Sequence, residues 1–160
     1  MKPRVYVETS VISYLAARRS RDLVVAAHQQ ITHEWWERRA MDFDLVISGY
    51  VVAEAAAGDF DAAQRRLALI AHLPELAAVP EIEALGDLLC LRGGLPAKAQ
   101  IDARHVAAAA VFGIEYLVTW NCTHIANMET LPLIESICRD SGYEPPRICT
   151  PLELSGYEGE

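Results

Sequence analysis

The chain has 160 residues, of which 52% are hydrophobic, and it carries a formal net charge of −8 at pH 7. A chain of this length buries most of its apolar surface without disulfides or structural metals, so we expect a single domain over residues 1–160. The negative charge excludes a general electrostatic binder of nucleic acid, because the average surface repels phosphates. The longest apolar run, 106–113, is far shorter than the roughly 20 residues that span a bilayer, which predicts a core helix and no membrane association.

The N-terminus and the cysteines indicate a cytoplasmic protein. Lys2 and Arg4 lead into a strand-like segment that already carries Glu8, a pattern that does not match a signal peptide. The four cysteines form no CxxC pair and lie among apolar neighbours, which favours reduced, buried thiols over disulfides or a zinc site. They are Cys90, Cys122, Cys138 and Cys149.

Strand-like and helix-like segments alternate along the chain. Apolar runs predict strands at 4–7, 44–48, 76–80 and 115–120, with an edge strand at 147–151. Amphipathic patterns predict helices at 9–19, 22–39, 50–58, 59–73, 81–93, 97–113 and 128–142, the first of them capped by Thr9 or Ser10. This alternation predicts an α/β domain of three layers, α/β/α, with a central, mainly parallel sheet.

Four polar residues follow the predicted strands or lie near the start of the helices beside them. Glu8 directly follows the first strand, and Asn121 directly follows the strand at 115–120. Glu54 lies in the first turns of the helix after the second strand, and Asp102 lies near the start of the Ala-rich helix. The carboxyl ends of parallel strands meet at one edge of a sheet, so we expect these residues to gather there. Gathered carboxylates repel one another, which predicts a bound cation.

Each of these residues also has an ordinary structural explanation. A glutamate such as Glu8 gains from the dipole of the helix that it precedes, and Asn121 is a common turn former. Glu54 fits a solvated helix face, and Asp102 fits a first-turn charge. Their joint placement favours the cation site, as do two local contexts. Glu54 lies among small apolar residues, and Asp102 shares a helix face with His105 beside an apolar stripe.

Three segments carry a resemblance to a known family: "YVETSVISYL", "VVAEAAAG" and "DARHVAAAAVFGIEYLVTWNCTHIAN". With the order of strands and helices, they resemble PIN-domain proteins, specifically the VapC-type ribonuclease toxins of bacterial type II toxin–antitoxin systems, over nearly the whole chain. The resemblance implies a metal-dependent ribonuclease in which Glu8, Glu54 and Asp102 bind Mg²⁺ or Mn²⁺ for RNA cleavage. Asn121 matches a fourth position that many relatives keep as Asp.

Two residues depart from the family pattern. The first acid is usually Asp, and the longer Glu8 reaches further, which we regard as compatible with activity. Asn121 brings no charge, so three carboxylates remain, enough for one divalent ion. As a hypothesis, Glu8 and Asp102 bind the metal directly. Glu54 then binds through water or acts as the base, and Asn121 positions the nucleophile.

Several neighbours are candidates for holding the carboxylates in place by hydrogen bonds, although capping or strand-end roles fit the three hydroxyl residues equally well. These candidates are Thr9, Ser10, His105 and Thr119. For His124 a contact with the phosphate or leaving group and a role in structuring its loop are both open. No glycine-rich phosphate loop is present in the sequence, so we expect no nucleotide cofactor.

The resemblance further implies an RNA substrate, a VapB-like antitoxin that inserts a segment into the acidic crevice, and a homodimer. The alternative function is a non-catalytic PIN-fold module that binds RNA or a partner, because the fourth acid is missing. Metal affinity at the acidic cluster discriminates the two readings, since a module without it has no catalytic cation.

Overall fold

A sheet of four parallel strands forms the centre of the protein. The structure is a computed structural model that describes residues 1–157. The strands are β1 (Arg4–Val7), β2 (Asp44–Val46), β3 (Tyr116–Val118) and β4 (Arg147–Cys149). They are hydrogen bonded in the order β2-β1-β3-β4, and every pair is parallel. Residues 158–160 of the predicted domain lie outside the described residues.

Helices connect and cover the strands. They are α1 (Thr9–Ala16), α2 (Leu23–Arg38), α3 (Gly49–Ala55), α4 (Phe60–Ile70), α5 (Pro80–Leu91), α6 (Gln100–Val111) and α7 (Leu131–Asp140). The helices form two groups. In the first group α1 packs against α2, α3 and α4, and in the second α5 packs against α6 and α7. A contact between α3 and α6 joins the two groups. Within residues 1–157, none of these helices combines the length and the hydropathy needed to cross a membrane.

Both faces of the sheet are covered. Val5, Tyr6 and Val7 are consecutive in β1, and each is 0% exposed. Consecutive side chains of a strand point to opposite faces, so this run requires packed layers above and below it. Leu117 and Val118 of β3 are buried in the same way. The predicted α/β fold is confirmed, and its sheet is parallel throughout the described residues.

The prediction of a strand at 76–80 is wrong. The residue before this segment, Glu75, makes an isolated bridge with Ile47, and the backbone N–H of Leu76 donates to Ile47 at 2.8 Å. Residues 76–79 form no strand. Pro80 opens α5, where its fixed φ and missing N–H suit the first helical turn. The predicted edge strand at 147–151 is confirmed as β4, and it supplies the fourth strand of the sheet.

The cysteines are all free, and one of them lies outside the predicted environment. Cys138 is buried, and Cys90 and Cys149 are partly buried. Cys122 is exposed because it lies in the turn after β3 and not in a packed element. The prediction of buried thiols is therefore wrong for Cys122.

Candidate metal centre

Glu8 lies at the point where β1 ends and α1 begins. Its backbone N–H donates to Val118 at 3.1 Å and so extends the pairing of β1 with β3 by one residue. Its side chain caps α1 by accepting from the backbone N–H of Ser10 at 2.9 Å, so the predicted caps Thr9 and Ser10 are replaced by Glu8. The hydroxyl groups of Ser10 and Thr119 both donate to Oε1 of the same carboxylate. These donors stabilise a carboxylate that is only 4% exposed.

Glu54 projects from α3 toward the same edge of the sheet. Its Oε1 accepts hydrogen bonds from Thr9 Oγ1 at 2.7 Å and from His105 Nε2 at 2.5 Å. Burial alone raises the pKa of this carboxyl, but the hydrogen bonds from His105 and Thr9, and the positive charge of His105 when its ring is protonated, outweigh it. The pKa of Glu54 therefore lies below its ordinary value, and the side chain is ionised at neutral pH.

The lowered pKa of Glu54 predicts a pH-dependent contribution to stability. The unfolded chain has the ordinary pKa of 4.5 at this position, so it binds more protons than the folded protein as the pH falls below that value. The stabilising contribution is complete above pH 4.5 and is lost as the pH falls through the lower folded pKa. We expect a smaller acid loss of stability in Glu54→Gln, measured by urea denaturation. The difference is modest because the side chain is 38% exposed. Parallel acid curves for the two proteins would contradict the pKa assignment.

His105 connects Glu54 to the buried interior. Its ring is 0% exposed, and its Nδ1 lies 2.6 Å from the hydroxyl of Tyr6, which in turn lies 2.6 Å from Ser48 Oγ. Potential ligand atoms of Glu8, Glu54 and His105 all lie within 4.8 Å of one another. Sequence reasoning did not identify Tyr6 or Ser48. The available signal was a tyrosine between two valines in a strand, because a buried phenol needs a hydrogen-bond partner.

Asp102 joins the site from the first turn of α6. Its Oδ2 lies 2.9 Å from His124 Nδ1, and the backbone N–H of His124 donates to Asn121 Oδ1 at 3.0 Å. The backbone N–H of Asn121 donates to Thr119 Oγ1 at 2.9 Å. Asp102 precedes His105 by three residues, which is about 4.5 Å along a helix axis. The loop from Thr119 to His124 therefore links Asp102 to Glu8.

The four predicted site residues thus lie in two chains of polar contacts at the carboxyl edge of the sheet, which together we call the ring. The first chain joins Thr9 to Glu54 and Glu54 to His105. The second joins Ser10, Glu8, Thr119, Asn121, His124 and Asp102 in that order. Thr9 and Ser10 are neighbours in the sequence, and Asp102 and His105 lie one turn apart on α6. Asp102 lies outside the group of ligand atoms within 4.8 Å, and its carboxylate contacts His124. Asn121 uses its side-chain oxygen in the turn, which agrees with the turn-forming explanation.

The electrostatics of the ring are unbalanced. Within residues 1–157, no lysine or arginine forms an ion pair with Glu8, Glu54 or Asp102. The basic side chains that contact Glu54 and Asp102 in that part of the chain are His105 and His124, which carry a charge only when protonated. Acids at one edge of the sheet without a permanently charged partner favour binding of a divalent metal ion.

An aromatic cluster fixes the loop beside this ring. The rings of His28 and Trp120 are stacked with centroids 4.0 Å apart, and Tyr14 stacks on both of them. The indole of Trp120 donates to Thr32 Oγ1 at 2.7 Å, and its backbone N–H donates to Ser10 Oγ at 2.8 Å. Trp120, the residue before Asn121, is therefore held by contacts with both α1 and α2. No pattern in the sequence predicts this cluster, because its rings come from three separate segments.

Comparison with known proteins identifies the fold. No protein-family model matches the sequence, and no curated protein matches it. Among solved structures, this chain is similar to a chain in the crystal structure of VapBC2 from Rickettsia felis bound to a DNA fragment from the VapBC2 promoter. The TM-score is 0.58 and the sequence identity is 15%. That match covers 92% of this chain and 98% of the other.

A second similar structure is VapBC-1 from nontypeable Haemophilus influenzae. The TM-score is 0.57 at 14% identity, and the match covers 93% of this chain and 98% of the other. At this level of identity the likeness concerns the fold. The protein therefore has the VapC-like PIN fold that the sequence resemblance implies.

Proposed function

We propose that the protein is a metal-dependent endoribonuclease, the toxin component of a type II toxin–antitoxin pair, that hydrolyses RNA phosphodiester bonds. One observation carries this proposal. Glu8 and Glu54 have potential ligand atoms within 4.8 Å of each other at the carboxyl edge of a parallel sheet, and the loop from Thr119 to His124 links Asp102 to Glu8. No lysine or arginine of residues 1–157 pairs with any of these three acids. The likeness to VapBC structures supports the choice of a nuclease among the activities that an acidic site can perform.

The hydrogen bonds of Glu54 and Asp102 involve only one oxygen of each carboxylate, which fits a shared cation. Glu54 accepts both of its hydrogen bonds on Oε1, and Asp102 uses only Oδ2. Within residues 1–157 the second oxygen of each has no hydrogen-bond donor. Glu8 accepts two hydroxyl donors on Oε1 and one backbone donor on Oε2. Each acid is therefore anchored and still has capacity for a ligand, and Mg²⁺ or Mn²⁺ is the cation class that oxygen donors prefer.

We assign Glu8, Glu54 and Asp102 to binding the metal. A divalent ion bound there supplies Lewis acidity for the phosphate and lowers the pKa of a water molecule. Glu8 is fixed by Ser10 and Thr119, so it holds its position when the substrate binds. Glu54, ionised and partly exposed, either binds through water or accepts a proton from the attacking water.

Asn121 and the hydroxyl residues act around these acids. The side-chain oxygen of Asn121 is used in the turn, and its amide nitrogen makes no hydrogen bond within residues 1–157. That nitrogen is a donor for a water or a phosphate oxygen, which is the positioning role we assign to it. Thr9, Ser10 and Thr119 hold the carboxylates by the hydrogen bonds described above.

The proposed partners follow from the same comparison. Both solved structures contain VapBC assemblies, which supports a VapB-like antitoxin for this chain. Its simplest means of blocking the acidic crevice is a cationic side chain such as arginine, which replaces the charge of the metal. We further propose that the protein is a cytoplasmic homodimer.

Cleavage of a panel of labelled structured RNAs, including tRNAs, tests the function. The reactions contain Mg²⁺, Mn²⁺ or EDTA, with wild type and Asp102→Asn purified in parallel so that the variant reports contaminating ribonuclease. We expect metal-dependent cleavage by wild type, and a loss of at least about 100-fold in Asp102→Asn, because losing a supporting residue of a metal site already costs about 10- to 100-fold.

Cleavage of equal rate and equal metal requirement in both proteins would contradict the role of Asp102. A wild-type protein that neither binds the metals nor cuts any RNA would favour the non-catalytic binding module.

A further inference from the structure

We propose that Ser48, Tyr6 and His105 form a buried relay whose function is to orient the carboxylate of Glu54, so that Oε1 is held and Oε2 faces the crevice. These are positioning residues, since they act through Glu54 and not on the substrate. The inference rests on the proposed function and adds two residues, Tyr6 and Ser48, that the metal site itself does not include.

The relay is continuous and joins three elements of the fold to the turn between β2 and α3. Ser48 follows β2, Tyr6 lies in β1, His105 lies in α6 and Glu54 lies in α3. The successive distances are 2.6 Å from Ser48 Oγ to the Tyr6 hydroxyl, 2.6 Å on to His105 Nδ1, and 2.5 Å from His105 Nε2 to Glu54 Oε1. Ser48 is 2% exposed, and Tyr6 and His105 are each 0% exposed. Water therefore does not compete for these hydrogen bonds.

Hydrogen-bond accounting determines where the ring proton lies. An ionised carboxylate only accepts, so Nε2 of His105 must carry the proton that Glu54 receives. Burial raises the pKa of Tyr6 well above its ordinary value, so its hydroxyl remains protonated and can donate to Nδ1. Ser48 then donates to the tyrosine oxygen. A neutral histidine with its proton on Nε2 satisfies every member of the relay without adding a buried charge.

The consequence for Glu54 is a fixed orientation. Its Oε1 receives Nε2–H from α6 and the Thr9 hydroxyl from α1, two donors on separate packed elements. Rotating the carboxylate would break both hydrogen bonds together. Supporting hydrogen bonds of this kind commonly affect metal affinity by about 10- to 100-fold. We therefore expect the relay to be required for tight metal binding and not only for folding.

Three variants separate positioning from folding. His105→Leu removes both ring nitrogens, His105→Gln retains an amide N–H that can replace Nε2–H, and Tyr6→Phe removes only the donor to Nδ1. Leu85→Ala is the matched control for lost stability, because Leu85 is buried in α5 outside the ring of polar contacts. The readouts are Mn²⁺ affinity by calorimetry, melting temperature, and the ring nitrogen resonances of His105 by NMR in the metal-free protein.

We expect His105→Leu to weaken Mn²⁺ binding about 10- to 100-fold, and His105→Gln to recover most of that loss. NMR of wild type should show the His105 ring proton on Nε2. In Tyr6→Phe a smaller fraction of the rings should carry the proton on Nε2. The control Leu85→Ala should lose stability at unchanged Mn²⁺ affinity. Affinities in the His105 variants equal to wild type, or a neutral ring protonated on Nδ1, would overturn the relay.

The outcomes also distinguish this inference from the proposed function. A wild-type protein that binds Mn²⁺ but cuts no RNA overturns the nuclease, while the affinities of the variants still decide the relay. A wild-type protein that cuts RNA, with His105 variants that change only the melting temperature, overturns the relay and leaves the nuclease intact. A wild-type protein that binds no Mn²⁺ overturns both.

Discussion

Replacing Glu8 with glutamine is expected to lower metal-dependent RNA cleavage by at least about 100-fold, with a parallel loss of Mn²⁺ affinity. The substitution keeps the length of the side chain but removes one of three negative charges. It also places an amide N–H₂ where Oε1 or Oε2 now accepts hydrogen bonds from Ser10 and Thr119. One of these donors is the backbone N–H that Glu8 caps, so α1 is destabilised as well, by about 0.5–2 kcal/mol.

The matched control is Glu81→Gln. Glu81 is an exposed residue in the first turn of α5 and has no contact with the ring. This variant should retain wild-type cleavage and metal affinity. Measuring initial cleavage rates at saturating Mn²⁺ and unfolding free energies for both variants separates lost catalysis from lost stability. Near-normal cleavage by a folded Glu8→Gln protein would show that the first acid is not part of the metal site.

Truncating Leu117 to alanine is expected to destabilise the fold by about 2–5 kcal/mol, the usual cost of removing a buried leucine side chain. Leu117 is 0% exposed and lies in β3, which is hydrogen bonded to both β1 and β4. The cavity would open beneath the strand that carries Thr119 and Asn121 at its end. Urea denaturation followed by circular dichroism measures the change in the free energy of unfolding.

Leu152→Ala provides the comparison, because Leu152 is 57% exposed. Its expected effect is within about 0.5 kcal/mol, as is usual for surface substitutions. A loss below about 1 kcal/mol in Leu117→Ala would mean that this site is not the tightly packed centre of the sheet.

The sequence predicted the parts of the fold that depend on local pattern. The apolar run before Glu8 became β1, and the Ala-rich segment around Asp102 became α6. The gathering of Glu8, Glu54, Asp102 and Asn121 at one edge could be expected because parallel strands share a direction, so their carboxyl ends coincide. This expectation needs only the direction of the strands and no knowledge of the tertiary packing.

The remaining features depend on contacts between distant segments. The apolar residues at 76–80 resemble a strand, but Pro80 and the neighbouring bridge to Ile47 determine their conformation. The pairing of Asp102 with His124 depends on how the loop after β3 returns to α6. The contact of Tyr6 with Ser48 likewise depends on the register of β1 against β2, which no local pattern specifies.

Crystals of the protein soaked in Mn²⁺ and measured at the manganese absorption edge provide the most direct test of the central claim, that these carboxylates hold a divalent cation. We expect an anomalous peak at the ring, with oxygen atoms of Glu8 and Asp102 as ligands and Glu54 in water-mediated contact. A fully occupied Mn²⁺ elsewhere, or a ring that stays empty at saturating Mn²⁺, would contradict it.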